Sequence, residues 1–230
     1  MRPDTLKSLL AARAEKRQVA LVSNLESGAQ TLVFRDRTEG ELALDDDAIA
    51  AARDALRDDK SGRLRTGEAP LFVQVFNPPK RMIIVGAVHI AQPLVTLAQT
   101  AGYEVVIVDP RGAFATRDRF PGVTLSEDWP DDALNALAID NRTAVVTLTH
   151  DPKLDDPALH VALRSEAFYV GSLGSKRTHA GRVERLTEAG YTEAEIGRIH
   201  APVGLAINAK SPAEIAISIM GQITQVLHSA

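Results

Sequence analysis

The chain has 230 residues, of which 45% are hydrophobic and 24% are charged, as in an ordinary globular protein. Its formal net charge of -4 and the lack of a basic tract argue against non-specific nucleic-acid binding. No apolar run approaches the roughly 18 residues of a membrane helix, and the charged N-terminus lacks the apolar core of a signal peptide. We therefore expect a cytoplasmic protein with no membrane partner. The absence of cysteine excludes disulfides, thiolate nucleophiles and cysteine–zinc sites.

The first part of the chain predicts a few short elements. Leucines at helical spacing predict a helix over residues 4–17. The segments VALVSNL and TLVF predict two strands joined by a hairpin turn at Ser27-Gly28. LDDDAIAAARDALRDD predicts a second helix with Asp45–Asp47 at its start, and LFVQVF predicts a further strand.

A domain boundary is expected at Asn77-Pro78-Pro79, because this stretch cannot continue regular structure. Beyond it, RMIIVGA, YEVVIVD, TAVVTLT and AFYVGSL are almost continuously apolar, as strands are when both faces of a parallel sheet are covered. Helical patterns separate most of them, at Ile90–Ala101, Asp131–Ile139 and Pro157–Ser165, and three more follow. This alternation predicts an α/β fold. We expect a Rossmann-like, mostly parallel sheet with flanking helices over residues 80–230, preceded by a small α/β N-terminal domain over residues 1–77.

The turn after RMIIV resembles a dinucleotide-binding turn that lacks one glycine. Gly86 supplies the first glycine of G-x-G-x-x-G and Ala91 replaces the third, but Val88 occupies the second, where a pyrophosphate would approach the backbone. Asp109 ends the next strand, where a ribose-binding acid belongs, and Arg111 follows it. His89 is either a packing residue at a helix entry or a ligand contact.

A second loop, YVGSLGSKRTHAGR, has the features of an anion site. We expect the strand to end at Val170 and a tight turn to lie between Gly171 and Gly174, with Ser175 as the N-cap of a helix. Lys176 and Arg177 in the first turn oppose the helix dipole, which an anion docked there would offset. The alternative is that both cations face solvent or pair with carboxylates such as Glu184.

A third cluster, THDPKLDD, follows a strand and places His150 and Asp151 at its carboxyl end. With Asp155 and Asp156 one turn later, these residues predict either a divalent-metal or acid–base site, or only a turn and helix entry. The sequence alone leaves these interpretations open.

Four segments in order, GAVHIA, VVTLTHDPKLDD, YVGSLGSKRTHAGR and IHAPVGLAINAKSPAEIAISI, closely resemble the Rossmann domain of the XdhC/CoxI family. The resemblance implies an accessory protein, not a turnover enzyme, that binds molybdenum cofactor (molybdopterin). Such a chaperone assists cofactor sulfuration and insertion into a molybdenum hydroxylase such as the xanthine dehydrogenase of purine catabolism. The implied partners are that hydroxylase and a cysteine desulfurase. The sequence leaves open whether the chain forms a homodimer.

The chain departs from the family pattern at three points. It lacks the N-terminal Gly-Gly-Gly-Cys, Val88 replaces the second glycine of the first turn, and Ala206 replaces an acidic residue. Two alternatives therefore stay open, a nucleotide-dependent oxidoreductase using NAD(P) or FAD, and an adaptor that no longer binds cofactor. Under the cofactor hypothesis, the expected contacts are Gly86, His89, Asp109, Arg111, His150, Asp151, Gly171, Gly174, Ser175, Lys176 and Arg177.

Overall fold

A computed structural model describes residues 2–67 and 69–229, and the chain forms two compact units that divide between Pro78 and Pro79. The first unit contains α1 (Pro3–Ala14), β1 (Val19–Asn24), β2 (Gln30–Val33), β3 (Thr38–Gly40), α2 (Asp46–Arg57), β4 (Gly62–Arg63) and β5 (Leu71–Phe76). Its strands pair antiparallel in the order β3-β2-β1-β5-β4. Alternate residues of β1 enter two different apolar clusters, Ala20 with α2 and Leu21 with α1. Each face of this sheet is therefore covered by one helix.

The second unit is a parallel α/β sheet with helices on both faces. Its elements are β6 (Arg81–Val85), α3 (Ala91–Thr100), β7 (Glu104–Val108), β8 (Thr124–Ser126), α4 (Pro130–Ala136), β9 (Thr143–Thr147), α5 (Pro152–Arg164), β10 (Tyr169–Ser172), α6 (Lys176–Glu188), α7 (Glu193–Ile196), β11 (Ile199–His200) and α8 (Pro212–His228). The strand order is β11-β10-β9-β6-β7-β8, and every neighbouring pair is parallel. The predicted α/β class with a Rossmann-like parallel sheet is confirmed. No helix among the described residues is both long and apolar enough to cross a membrane.

The apolar strands pack alternately against the two helical layers. Met82 and Ile84 face the cluster that contains residues of α3 and α8, whereas Ile83 and Val85 face the cluster that contains residues of α4 and α5. All four side chains are fully buried, which explains why β6 reads as an unbroken apolar run. The chain leaves β6 for one half of the sheet and begins the other half at β9, the neighbouring strand. The carboxyl ends of β6 and β9 therefore form the switch point where open α/β sheets bind ligands.

Two boundaries beside the loops at the carboxyl edge of the sheet differ from the expectations. Helix α5 begins at Pro152, not Pro157, because Asp151 caps it and Pro152 occupies its first turn, so Pro157 lies inside the helix. Strand β10 runs to Ser172, so Gly171 lies within a strand instead of opening a turn. A side chain at Gly171 would meet Val203 and the Tyr169 ring at 2.6–2.8 Å, which is why glycine is needed there.

The other differences concern very short elements. Segment TEAEIGRI forms a helix only over Glu193–Ile196, and Ile199 begins the edge strand β11. Strands β3, β4 and β8 also went unpredicted; each has two or three residues and pairs with a neighbouring strand. Strands of two or three residues are too short to show the alternation of apolar and polar residues by which a strand is predicted.

Gly86, directly after β6, has a backbone conformation and a contact that exclude other residues. Its φ is +109°, and a Cβ there would lie 2.6 Å from Thr149 Cγ2. The Gly86 N–H donates to Val108 O at 2.9 Å, which ties the turn to β7. The loops after β6 and β9 are thus in direct contact at the switch point.

We expect Gly86→Ala to lower the free energy of unfolding by roughly 2–5 kcal/mol, through backbone strain and overpacking together. Gly102→Ala is the matched control, because Gly102 has a φ of +82° but open space around it. Urea unfolding of both variants separates the steric cost from the conformational cost. Thr149→Ser removes the clashing methyl group and keeps the hydroxyl, so it should recover part of the Gly86→Ala loss. Equal losses of unfolding free energy in Gly86→Ala and Gly102→Ala would contradict a steric role for the Gly86–Thr149 contact.

Candidate ligand site at the sheet switch point

Asp109, at the carboxyl end of β7, is fully buried and fully occupied by donors. Its carboxylate accepts the Ala87 N–H at 2.8 Å and a bidentate pair from Arg111, Nε at 2.9 Å and Nη2 at 2.8 Å, besides the Arg111 N–H at 3.0 Å. Burial alone would raise the pKa of Asp109, but these hydrogen bonds outweigh it and hold the pKa below its ordinary value. The Arg111 guanidinium also lies 4.7 Å from the Phe114 ring centroid. A ribose hydroxyl would have to displace this arrangement.

The turn between β6 and α3 presents one apolar and one polar side chain. Val88 is half-buried and packs against the apolar cluster that contains α3. His89 is exposed at the entry to α3. The residue that replaces the second glycine therefore packs against the core and adds a β-branched side chain to a turn that is bare backbone in the dinucleotide motif.

The loop after β9 is organised by Thr149 and Asp155. Thr149 Oγ1 donates to Asp155 Oδ1 at 2.6 Å, and Asp151 N–H donates to Thr149 Oγ1 at 3.1 Å. Asp151 caps α5 by accepting the Lys153 N–H at 3.0 Å. His150 is exposed and adopts a φ of +61°. The helix-entry interpretation thus accounts for Asp151, and the loop presents His150 to solvent.

The carboxylates near this loop do not assemble a metal centre. Asp156 forms a bidentate ion pair with Arg185, with Nε–Oδ2 at 2.6 Å and Nη2–Oδ1 at 3.0 Å. Within residues 2–67 and 69–229, no group of three or more His, Asp or Glu side chains is placed to hold a metal ion. Asp151 and Asp155 instead act electrostatically on Arg111, whose pKa is raised first by its hydrogen bond to Asp109 and further by these two charges. Arg111 therefore lies within electrostatic range of the β9 loop.

The loop after β10 leads into α6 with two unneutralised cations. Gly174 has a φ of +141°, and Ser175 caps the helix by accepting the Thr178 N–H at 3.1 Å. Lys176 and Arg177 are exposed, and neither forms an ion pair with any carboxylate that the structure describes. Two cations beside the positive end of a helix dipole make this helix start attractive to an anion.

Sequence reasoning missed the buried partner of this loop, Arg182. It is 2% exposed, donates from Nη2 to Leu173 O at 3.1 Å, and has its Nη2 3.9 Å from Asp155 Oδ2. The signal was in the sequence, because Arg182 precedes Leu186 by one helical turn and these two are the buried residues of α6. A charge on the core face of an amphipathic helix marks a residue with a specific role.

The family model of the XdhC Rossmann domain matches residues 82–223, which contain all of these loops. The chain belongs to the XdhC family. The predicted resemblance is therefore confirmed.

Two curated relatives match about two thirds of this XdhC-family chain. The molybdenum cofactor insertion chaperone PaoD of Escherichia coli (strain K12) is 33% identical over 151 residues, 66% of this chain and 41% of PaoD. A protein of Bacillus subtilis (strain 168), named as a probable subunit of xanthine dehydrogenase, is 31% identical over 156 residues, 67% of this chain and 45% of that protein. The chain thus spans less than half the length of either relative.

A solved structure resembles the XdhC-family chain over nearly its whole length. It is the crystal structure of a xanthine dehydrogenase from Bacillus halodurans, with a TM-score of 0.72 and 28% sequence identity. The match covers 98% of this chain and 64% of that one. The likeness therefore extends beyond the Rossmann domain into the first unit.

We expect Asp109→Asn to lower the free energy of unfolding of the XdhC domain by roughly 2–4 kcal/mol at neutral pH, because charge-assisted bonds to a buried acceptor are lost. The folded-state pKa is depressed, so the carboxylate's contribution is complete above its unfolded pKa near 4 and disappears as the pH falls through the folded value. Urea unfolding at neutral and acidic pH measures both effects. Asp118→Asn, an exposed site in the same connection, should change little. Equal stability of wild type and Asp109→Asn at neutral pH would refute the role given to Asp109.

We expect Lys176→Ala with Arg177→Ala to weaken binding of a phosphate-bearing ligand by roughly 1.5–3 kcal/mol per charge-assisted bond lost. Calorimetric titration with molybdopterin measures the change. Lys60→Ala with Arg65→Ala removes the same charge from exposed positions of the first unit and should have little effect. Unchanged affinity in the first double variant would eliminate the α6 start as the phosphate site.

Proposed function

We propose that this chain binds molybdenum cofactor and assists its sulfuration and insertion into a molybdenum hydroxylase of the xanthine dehydrogenase type. The observation that carries the proposal is that an XdhC Rossmann domain has, at the carboxyl edge of its sheet, a helix start with two free cations, Lys176 and Arg177. A pterin monophosphate needs one anion site of this kind. The names of the E. coli and B. subtilis relatives support the same role.

The described residues suit a monophosphate better than a dinucleotide. A dinucleotide would need an accessible acid after β7 and bare backbone in the β6 turn. Asp109 is instead held by Arg111 and Ala87, and Val88 occupies the turn. These two features weigh against the NAD(P)- or FAD-dependent oxidoreductase.

The position of Lys176 and Arg177 at the start of α6 sets the orientation of the bound cofactor in this proposal. In this proposal the phosphate end lies at Gly174–Arg177, after β10. The opposite end then points along the carboxyl edge toward the loops that carry His89 and His150, both of which are exposed. Arg111 lies near the β9 loop and pairs with Asp109 through Nε and Nη2, so Nη1 is the part of its guanidinium that this proposal directs to polar edges of the pterin.

Sulfuration would need a thiol that this chain does not contain. Persulfide transfer requires a cysteine on the donor or carrier, and these 230 residues include none. We therefore assign the thiol to a partner, a cysteine desulfurase, that docks while the cofactor is held with its metal end outward. The proposal places this exchange in the cytoplasm, where protein thiols stay reduced.

We assign the first unit to the N-terminal domain of the XdhC/CoxI family, here without a cysteine. The support is the B. halodurans match, which covers 98% of this chain and so includes most of residues 1–77. We propose that this unit contributes to docking with the target enzyme and not to sulfur chemistry.

The test is reconstitution from the purified chain, molybdenum cofactor and cofactor-free target hydroxylase. We expect the chain to retain cofactor through gel filtration and to raise target activation when a cysteine desulfurase is present. NAD and FAD should give no saturable binding heat under the same conditions. Failure to retain cofactor would overturn the carrier function. Full activation from unsulfurated cofactor, without a thiol protein or added sulfide, would overturn the assignment of sulfur transfer to a partner.

A further inference from the structure

Arg182 is a buried cation with unused hydrogen-bonding capacity. Its side chain is 2% exposed, and only Nη2 donates, to Leu173 O at 3.1 Å. Nε and Nη1 are buried and have no hydrogen-bond partner within the described chain. Buried polar groups are almost always satisfied, and an unsatisfied charged donor is especially costly. Such a group needs a partner that these residues do not supply.

The guanidinium lies beneath the loop that leads into α6. Arg182 is six residues beyond Lys176, about 9 Å along the helix axis. Helical side chains lean toward the N-terminus, and the contact with Leu173 O shows that this one reaches back to the β10 loop. The buried guanidinium, with its two unpartnered N–H groups, therefore lies against the loop that leads to Ser175, Lys176 and Arg177.

The neighbours of Arg182 are polar and also incompletely bonded. Asp155 Oδ2 is 3.9 Å from Nη2, too far for a hydrogen bond, and is itself buried without a partner among the residues described. The other oxygen, Oδ1, accepts from Thr149. His179, one turn before Arg182, has a buried and unpartnered Nδ1. Burial, and then the Arg182 charge, lower the pKa of His179, which favours the neutral ring.

We propose that Arg182 is the inner anion-binding group of this loop and takes an oxyanion of the phosphate-monoester class through Nε and Nη1. The inference rests on the proposed function and names the group that would hold the ligand's phosphate. Lys176 and Arg177 attract the anion from solvent, and Arg182 receives it below the helix start. Because the free atoms are covered in this structure, the anion enters only when the Leu173–Ser175 segment or the Arg182 side chain shifts.

Asp155 acts as the competing counter-charge in this scheme. It faces Arg182 at 3.9 Å and keeps the buried cation neutralised when no anion is bound. Burial raises the pKa of Asp155 despite the hydrogen bonds from Thr149, so its charge is already held at a cost. An incoming oxyanion replaces this carboxylate as the partner of Arg182. Removal of the Asp155 charge should therefore strengthen anion binding, whereas a purely structural pair predicts no gain.

The experiment titrates the full chain with inorganic phosphate by calorimetry. Asp155→Asn keeps an oxygen acceptor for Thr149 and removes the charge, and we expect it to bind phosphate at least about fivefold more tightly. Arg182→Met combined with Asp155→Asn removes both charges and leaves no unpaired ion buried. That variant should bind about tenfold or more weakly than Asp155→Asn alone, the loss expected for one charge-assisted bond. Circular dichroism and thermal melting establish that each variant is folded.

Asp156→Asn is the matched control, because it removes a neighbouring carboxylate that pairs with Arg185 at the surface. It should raise phosphate affinity much less than Asp155→Asn does. A second measurement follows the Arg182 Nε–H signal by NMR, assigned by its loss in Arg182→Lys, and we expect phosphate to shift it in wild type and Asp155→Asn.

Equal or weaker phosphate binding by Asp155→Asn, or an Nε–H signal that phosphate does not shift, would overturn the assignment. The pair would then hold only buried water. A chain that binds molybdopterin but fails this test keeps the proposed function and loses the Arg182 role. If phosphate shifts the Arg182 signal in a chain that does not retain molybdopterin, the Arg182 role stands and the proposed function fails.

Discussion

At the carboxyl edge of the parallel sheet, Gly86 lies so close to Thr149 that a side chain cannot fit between the loops after β6 and β9. The loops after β7 and β10 are connected to that contact. Ala87, the next residue, donates to Asp109 after β7. On the other side, Thr149 donates to Asp155. The Gly86–Thr149 contact therefore lies between the bonds that Asp109 and Asp155 make with these loops.

The connections continue into the helix start that carries the free cations. Asp155 faces Arg182, and Arg182 donates to Leu173 O in the loop before α6. Four loops at the switch point are thus joined through hydrogen bonds, one long ion pair and one steric contact. The two buried acids have different surroundings: Asp109 is saturated with donors, whereas Asp155 keeps one oxygen without a partner among the described residues. Asp109 supports the scaffold, and under the proposed role of Arg182 the Asp155 charge is the one that a bound phosphate replaces.

Much of this arrangement was predictable, because it depends on patterns that are local in sequence. The apolar runs of β6, β7, β9 and β10 indicated a parallel sheet, and Gly86 and Ser175 indicated a turn and a helix cap. Partner choice was only partly local. Asp109 pairs with Arg111 two residues away, but the bond it accepts from the Ala87 N–H depends on how β6 and β7 align. Gly171 was misplaced for a similar reason, since the Tyr169 ring and Val203 that require a glycine there are visible only in the packed structure.

The central claim is that the loops after β6, β9 and β10 form one ligand crevice in which the α6 start holds a phosphate. Hydrogen–deuterium exchange of the full chain, with and without molybdopterin, tests this most directly. The account predicts added protection in peptides that cover residues 86–92, 148–153 and 172–179, and no change over residues 19–76. Protection confined to the first unit, or to the β7–β8 connection around residues 110–123, would contradict it.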